Sequence, residues 1–304
     1  MKKVAVSLVM VLVGVSLLVY PSISNFFAEK NGSRAIRGYS EALNSLDDEA
    51  LQEIWDEAEL YNQDLTGSPV HDPFLEGTGI AMPENYRRAL NVNGTMGYVE
   101  IPKISVYLPI YHGTSSQVLN RGVGHLEGST LPIGGPTRHT VITGHTGLTH
   151  AKMFTDLTEM EVGDMFYIHV LGVILAYQVD QIKIIEPNIT DDLKCFTDQD
   201  YCTLLTCTPY GVNSHRLLVR GTRVEYVPEL RSSIQAVSDT SVDKLVLAAA
   251  IGSSAIMLTS IAVTLLMMWQ RKRRRQKRRQ ARLQSGQSGT RVRTVSTRRV
   301  SRRA

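Results

Sequence analysis

At 304 residues, with 33 Lys and Arg against 29 Asp and Glu, the chain has room for one or two domains and a formal net charge of +4. That charge is unevenly placed. Residues 271–304 hold 15 of the basic side chains and no acidic one, and removing those 15 leaves 18 against 29, a net of −11, for the rest. The three cysteines, Cys195, Cys202 and Cys207, and the eight histidines lack zinc-type spacing, so no metal site and no cofactor is expected.

Residues 1–21 read as a membrane anchor or signal segment. Val4 to Tyr20 are almost wholly apolar, behind Lys2 and Lys3 and ahead of Pro21. A bilayer-crossing helix needs about 20 apolar residues, so a cleaved signal peptide is the rival of an anchor for this shorter run. No small-x-small cleavage site follows it, which favours the uncleaved anchor. Residues 33–66 are predicted helical. Ser45 with Asp48 resembles a capping box, and Leu51, Ile54, Trp55, Ala58 and Tyr61 share one face of a helix from 45 to 61. The stretch "GSPVHDPFLEGTG" is punctuated by Gly and Pro without periodicity, so residues 67–80 are a loop.

β patterns dominate residues 90–230. "MGYVEIPKI" and "VYLPIYHG" alternate and carry prolines suited to strand ends, and "HTVITGHTG" is a short apolar strand running into glycines. The segment 165–187 reads as two long strands turning at Gly172, and "YCTLLTCTP" and "HRLLVRGTRVEYVP" close the domain. "THAKMFTDLTEM" fits a short helix. Seven or eight strands in so short a stretch argue for a closed barrel or a sandwich. Residues 245–269 are the stronger transmembrane candidate, and 270–304 form a basic tail. Basic flanks stay cytoplasmic, which places both termini inside the cell membrane and the acidic middle outside. Directly after such a helix, "RKRRRQKRRQ" reads as a stop-transfer anchor at anionic lipid rather than as a nucleic-acid site.

On the strand from Tyr201, alternation puts Thr203, Leu205 and Cys207 on one face and Leu204 and Thr206 on the other. Cys202 and Cys207 therefore face opposite sides and do not pair, while a Cys195–Cys202 bridge stays open as an alternative. Cys207 ends its strand, and Arg216 opens the next after a Thr-Pro-Tyr-Gly turn. A cation there lowers a thiol's pKa and can donate to an oxyanion on an attacked carbonyl. His145, at the end of "TVIT", is the best-placed proton shuttle. Taken singly, each has a plainer reading: a buried small side chain, one histidine of eight, an arginine on a solvated strand face.

At these residues the chain resembles the sortases, membrane-bound cysteine transpeptidases of Gram-positive bacteria. "TLLTC" matches the family's TLxTC signature, "HR" after "TPYGVNS" its arginine and "TGHTG" its histidine, in family order with family-like spacing. The resemblance implies an all-β fold, a closed sortase-type eight-stranded barrel with short helices, an N-terminal helical segment and two flanking transmembrane helices. It implies Cys207 as nucleophile, His145 as general acid/base and Arg216 as oxyanion or substrate stabiliser. The extended arginine segment and the two hydrophobic ends resemble the class C, pilin-polymerising sortases. Many of these carry an Asp-Pro-aromatic lid, which would here be Asp72, Pro73 and Phe74, with Asp72 beside Arg216 and Phe74 over Cys207. The implied partners are pilin or surface-protein substrates with LPxTG-like sorting signals, a pilin lysine acceptor, and the membrane. Three other functions compete: wall anchoring to peptidoglycan, a non-catalytic membrane scaffold, and a thiol hydrolase or protease.

Overall fold

A computed structural model describes residues 2–65, 70–74, 82–149, 151–228, 262 and 266–280. The chain divides into two units, Met1–Ser16 with Lys244–Ala304, and Leu17–Asp243. In the first, the described residues are helical. Among the described residues no helix is long and apolar enough to cross a membrane. Most of 245–269, and most side chains of the Val4–Tyr20 run, lie outside the described residues.

The second unit is built on eight strands: β1 (Gly97–Ile101), β2 (Val106–His112), β3 (Val123–His125), β4 (Arg138–Thr143), β5 (Met165–Val170), β6 (Val173–Ile185), β7 (Asp200–Thr208) and β8 (His215–Val224). They close into a barrel in the order β1-β2-β3-β4-β7-β8-β6-β5. Closure removes every sheet edge and leaves one inward and one outward row on each strand. The inward row forms the main core: Val99, Ile110, Val123, Ile142, Phe166, Cys202, Leu204, Leu217 and Val219 among others. Leu171 and Gly172 turn the β5–β6 hairpin with both φ angles positive, at 46° and 79°, as a two-residue turn matched to strand twist requires. The hairpin inserted between β4 and β7 lets those two strands pair in parallel.

The sequence reading missed β3. Three residues are too few to show alternation, and β3 forms because β2 and β4 offer it edges on both sides. The predicted helix 149–160 shortens to a 3₁₀ turn, Thr155–Glu159.

Helix α1 runs Lys2–Leu43 straight through Pro21. Its far end packs on the barrel, where the Tyr39 hydroxyl donates to the Met96 carbonyl at 3.3 Å and accepts from the Leu171 amide at 2.8 Å. Helix α2 covers Asp48–Asp64, later than predicted. Its cap is Asp47, which accepts from the Ala50 amide, whereas Ser45 donates back to the Ala42 carbonyl and closes α1. The expected face is the buried one, with Ala58 fully covered and Leu51, Ile54, Trp55 and Tyr61 against the core. Beyond it, the buried Asn62 amide bonds both the carbonyl and the amide of Leu131. Two short helices escaped the sequence reading, α3 (Glu84–Arg88) and α4 (Ser116–Leu119).

Candidate active site

Register assembles the site. β7 and β8 are antiparallel with Cys207 opposite Arg216, Leu205 opposite Leu218 and Thr203 opposite Arg220. Directly paired residues point to the same face, so the thiol and the guanidinium stand side by side. That face is the outer one: Leu205 and Leu218 join Val141 and Leu126 in a small cluster separate from the barrel core. The predicted alternation on β7 therefore holds, with Cys202 and Leu204 inward and Leu205 and Cys207 outward.

His145 arrives from β4. Thr143 is opposite Leu205 on the parallel β7, and the Gly144 amide still donates to the Leu205 carbonyl at 3.0 Å. Two more residues along each strand bring His145 and Cys207 to the same end of the barrel. The exit from β4 is held tightly. Thr206 donates its hydroxyl to the Gly144 carbonyl at 2.7 Å, and the Phe154 amide donates to the His145 carbonyl at 3.0 Å. A side chain at Gly144 would press on the Phe154 ring at 2.8 Å. Thr206 is thus a supporting residue that the sequence reading placed on the correct face without assigning it a task.

Arg216 is fixed by its own turn. Its Nη1 donates to the carbonyls of Asn213 and His215, each at 3.0 Å. Its Nε lies 2.6 Å from Asp72 Oδ2, both side chains almost wholly buried. The pair is not aligned as a hydrogen bond, so its attraction is chiefly that of opposite charges. Asp72 also accepts the Phe74 amide at 2.7 Å, which folds residues 72–74 into a turn. That turn sets the Phe74 ring 5.5 Å from the His145 ring and 5.2 Å from the Arg216 guanidinium carbon. Val70 and Phe74 pack on the outer cluster of Leu205, Leu218 and Val141, with Leu193 from the segment before β7 alongside. Residues 70–74 thus lie against His145 and Arg216, with the Phe74 ring on those two side chains, and the Asp72 charge reaches Cys207. The remainder of 67–80 lies outside the described residues.

Burial pushes the Cys207 thiol up to about 11; the nearby Arg216 charge pulls it down and the Asp72 charge pushes it up again. At neutral pH the covered thiol is therefore protonated. Asp72 acts here in two ways, holding the cover in place and offsetting the cation that would activate the sulfur. The alternative Cys195–Cys202 bridge does not form. All three cysteines are free, with Cys195 exposed and Cys202 buried in the barrel, because β7 begins by pointing residue 202 inward.

Comparison with known proteins agrees with this geometry. The family model of the sortase domain matches residues 99–224. Sortase D of Bacillus subtilis is 30% identical over 131 residues, 42% of this chain and 63% of that protein. Sortase SrtE1 of Streptomyces coelicolor is 30% identical over 151 residues, 45% of this chain and 43% of that protein. The matched region thus spans less than two thirds of these curated relatives. Solved structures match further. Sortase C-1 of Streptococcus pneumoniae is 49% identical with a TM-score of 0.61, covering 64% of this chain and all of that one. A pilus-related sortase C of Group B Streptococcus is 42% identical with a TM-score of 0.59, covering 62% of this chain and 97% of that one.

Proposed function

This chain belongs to the sortase family of cysteine transpeptidases, and from that premise we propose that it polymerises pilins, cutting an LPxTG-like sorting signal and joining it to a lysine amine. One observation carries the reading: Cys207 and Arg216 stand side by side across β7 and β8 while Asp72 and Phe74 occupy the space before them. An extended peptide entering that space displaces the cover and meets the same groups.

With the cover gone, Cys207 passes its proton to His145 and the thiolate attacks the Thr–Gly carbonyl of the signal, while Arg216 donates to the oxygen as it gains charge. The preorganised guanidinium suits this task, since its carbonyl contacts fix its orientation before substrate arrives. His145 delivers a proton to the departing glycine amine, and the C–N bond breaks as the thioester forms. A lysine amine then attacks the thioester, its proton passing to His145, and Cys207 leaves as the thiolate. Departure of Asp72 exposes the sulfur to the unopposed Arg216 charge, so opening and activation are one event. The charge division of the sequence supports a catalytic unit outside the cell membrane with both termini within.

The test uses the full chain in detergent, an LPxTG-type peptide and a lysine-bearing acceptor, read by mass spectrometry. The expected result is an adduct on Cys207 that passes to the acceptor, is lost in Cys207→Ala and forms faster in Asp72→Ala with Phe74→Ala. An adduct that only hydrolyses would favour the protease reading. Transfer to a peptidoglycan amine in preference to lysine would favour wall anchoring. No adduct on either thiol-bearing form would overturn the proposal.

A further inference from the structure

Under the cover lies a polar group that the chemistry above does not use. Thr143 is wholly buried, and its hydroxyl has no hydrogen-bond partner among the described residues. Its direction follows from its neighbours. Val141 packs in the outer cluster and Ile142 in the barrel core, and a Cβ on Gly144 would meet the core residues Phe154 and Val123. Thr143 therefore points outward, onto the face that Val70 and Phe74 cover, beside its register partner Leu205.

A buried hydroxyl without a partner destabilises the fold, and valine would fill the same space without that cost. The two covering side chains are apolar and offer it nothing. The neighbouring strand lies about 4.8 Å away and Cys207 is two residues beyond Leu205, so the two Cα atoms are about 8 Å apart, roughly two residues of extended chain.

We propose that Thr143 is a substrate-positioning residue: once the cover lifts, its hydroxyl hydrogen-bonds the backbone of the peptide about two residues from the carbonyl that Cys207 attacks. The inference rests on the reading that an extended sorting peptide replaces residues 70–74. The hydroxyl stays dry and unpaired while the site is shut and finds its partner only when substrate is present.

The experiment compares Thr143→Val, which keeps the shape, with Thr143→Ser, which keeps the hydroxyl. Both are made in the full chain, with the cover intact and with Asp72→Ala plus Phe74→Ala. In the uncovered background, Thr143→Val should raise KM and lower kcat/KM for the LPxTG-type peptide about tenfold, equivalent to about 1.4 kcal/mol, while Thr143→Ser stays near the parent. With the cover intact, Thr143→Val should leave Tm unchanged or raise it by about 2–4 °C. Full kcat/KM in Thr143→Val, equal losses in both variants, or a Tm several degrees lower would overturn the positioning role. A parent that forms no thioester at all would instead refute the functional reading, and the positioning role would fall with it.

Discussion

Asp72→Asn tests the link between cover and nucleophile. The substitution keeps the shape and an oxygen for the Phe74 amide but deletes the charge beside Arg216. Leaving a buried guanidinium uncompensated costs about 3–5 kcal/mol if nothing moves. The short turn 70–74 therefore lifts and lets Arg216 hydrate, while the barrel stays folded. Cys207 then loses both causes that hold its thiol up at about 11, burial and the Asp72 charge, and keeps the one that lowers it. At pH 7.5 a thiol at about 11 is thiolate in about 3 parts in 10,000, and at the ordinary value near 8.5 in about one part in ten. That is roughly a 300-fold gain. A less basic thiolate is also less nucleophilic, with a Brønsted slope of about 0.4–0.5, which returns a factor of about 10–18 and leaves a net acceleration near 20-fold. The assay is alkylation by a neutral reagent across pH 6 to 11, in a Cys195→Ser background because Cys195 is exposed. The wild-type rate should climb through the whole range, and the Asp72→Asn rate should level off at lower pH. Coincident rates and profiles would refute the reasoning, as would a wild-type rate already level at neutral pH.

Gly144→Ala should press a methyl group on the Phe154 ring at 2.8–2.9 Å and on Val123 at 3.1 Å. Overpacking of this kind costs about 1–3 kcal/mol, visible as a lower Tm by calorimetry, and peptide turnover should drop further because His145 moves with the backbone; an unchanged Tm would refute the tight exit from β4. His125 and His139 are both held down at about 4 by burial. Their folded values lie below the unfolded one, so the unfolded chain binds more protons between about pH 6.5 and 4 and stability is lost as pH falls through that window. By pH 5 the loss should reach about 2 kcal/mol per histidine, and a melting temperature that is flat from pH 7 to 5 would contradict the burial of these rings.

Much of the site was legible in the sequence because its chemistry is local. "TLLTC" is a strand whose period of two fixes which face carries Cys207, and nine residues back to Arg216 suffice for a hairpin. The face of α2 was readable for the same reason. The end of that helix was not: Ser45 and Asp47 both suit a cap, and the choice fell to the turn that closes α1. β3 was invisible because its three residues owe their extended form to β2 and β4.

The sequence by itself determined the alternating strands, the Asp-Pro-Phe turn and the division of charge, all properties of neighbours within a few residues, while Cys207, His145 and Arg216 stood out as candidates through the order and spacing of their motifs. The Asp-Pro-aromatic resemblance already implied a cover with Asp72 beside Arg216, and the structure shows that pair. Only the tertiary structure decided that the Phe74 ring rests against His145 and Arg216, that burial pushes the Cys207 thiol up, and that Thr143 is buried without a hydrogen-bond partner among the described residues. Each of these depends on two stretches far apart in the chain meeting in a low-dielectric place. There, burial and opposing charge set protonation and cost, and no local pattern records either.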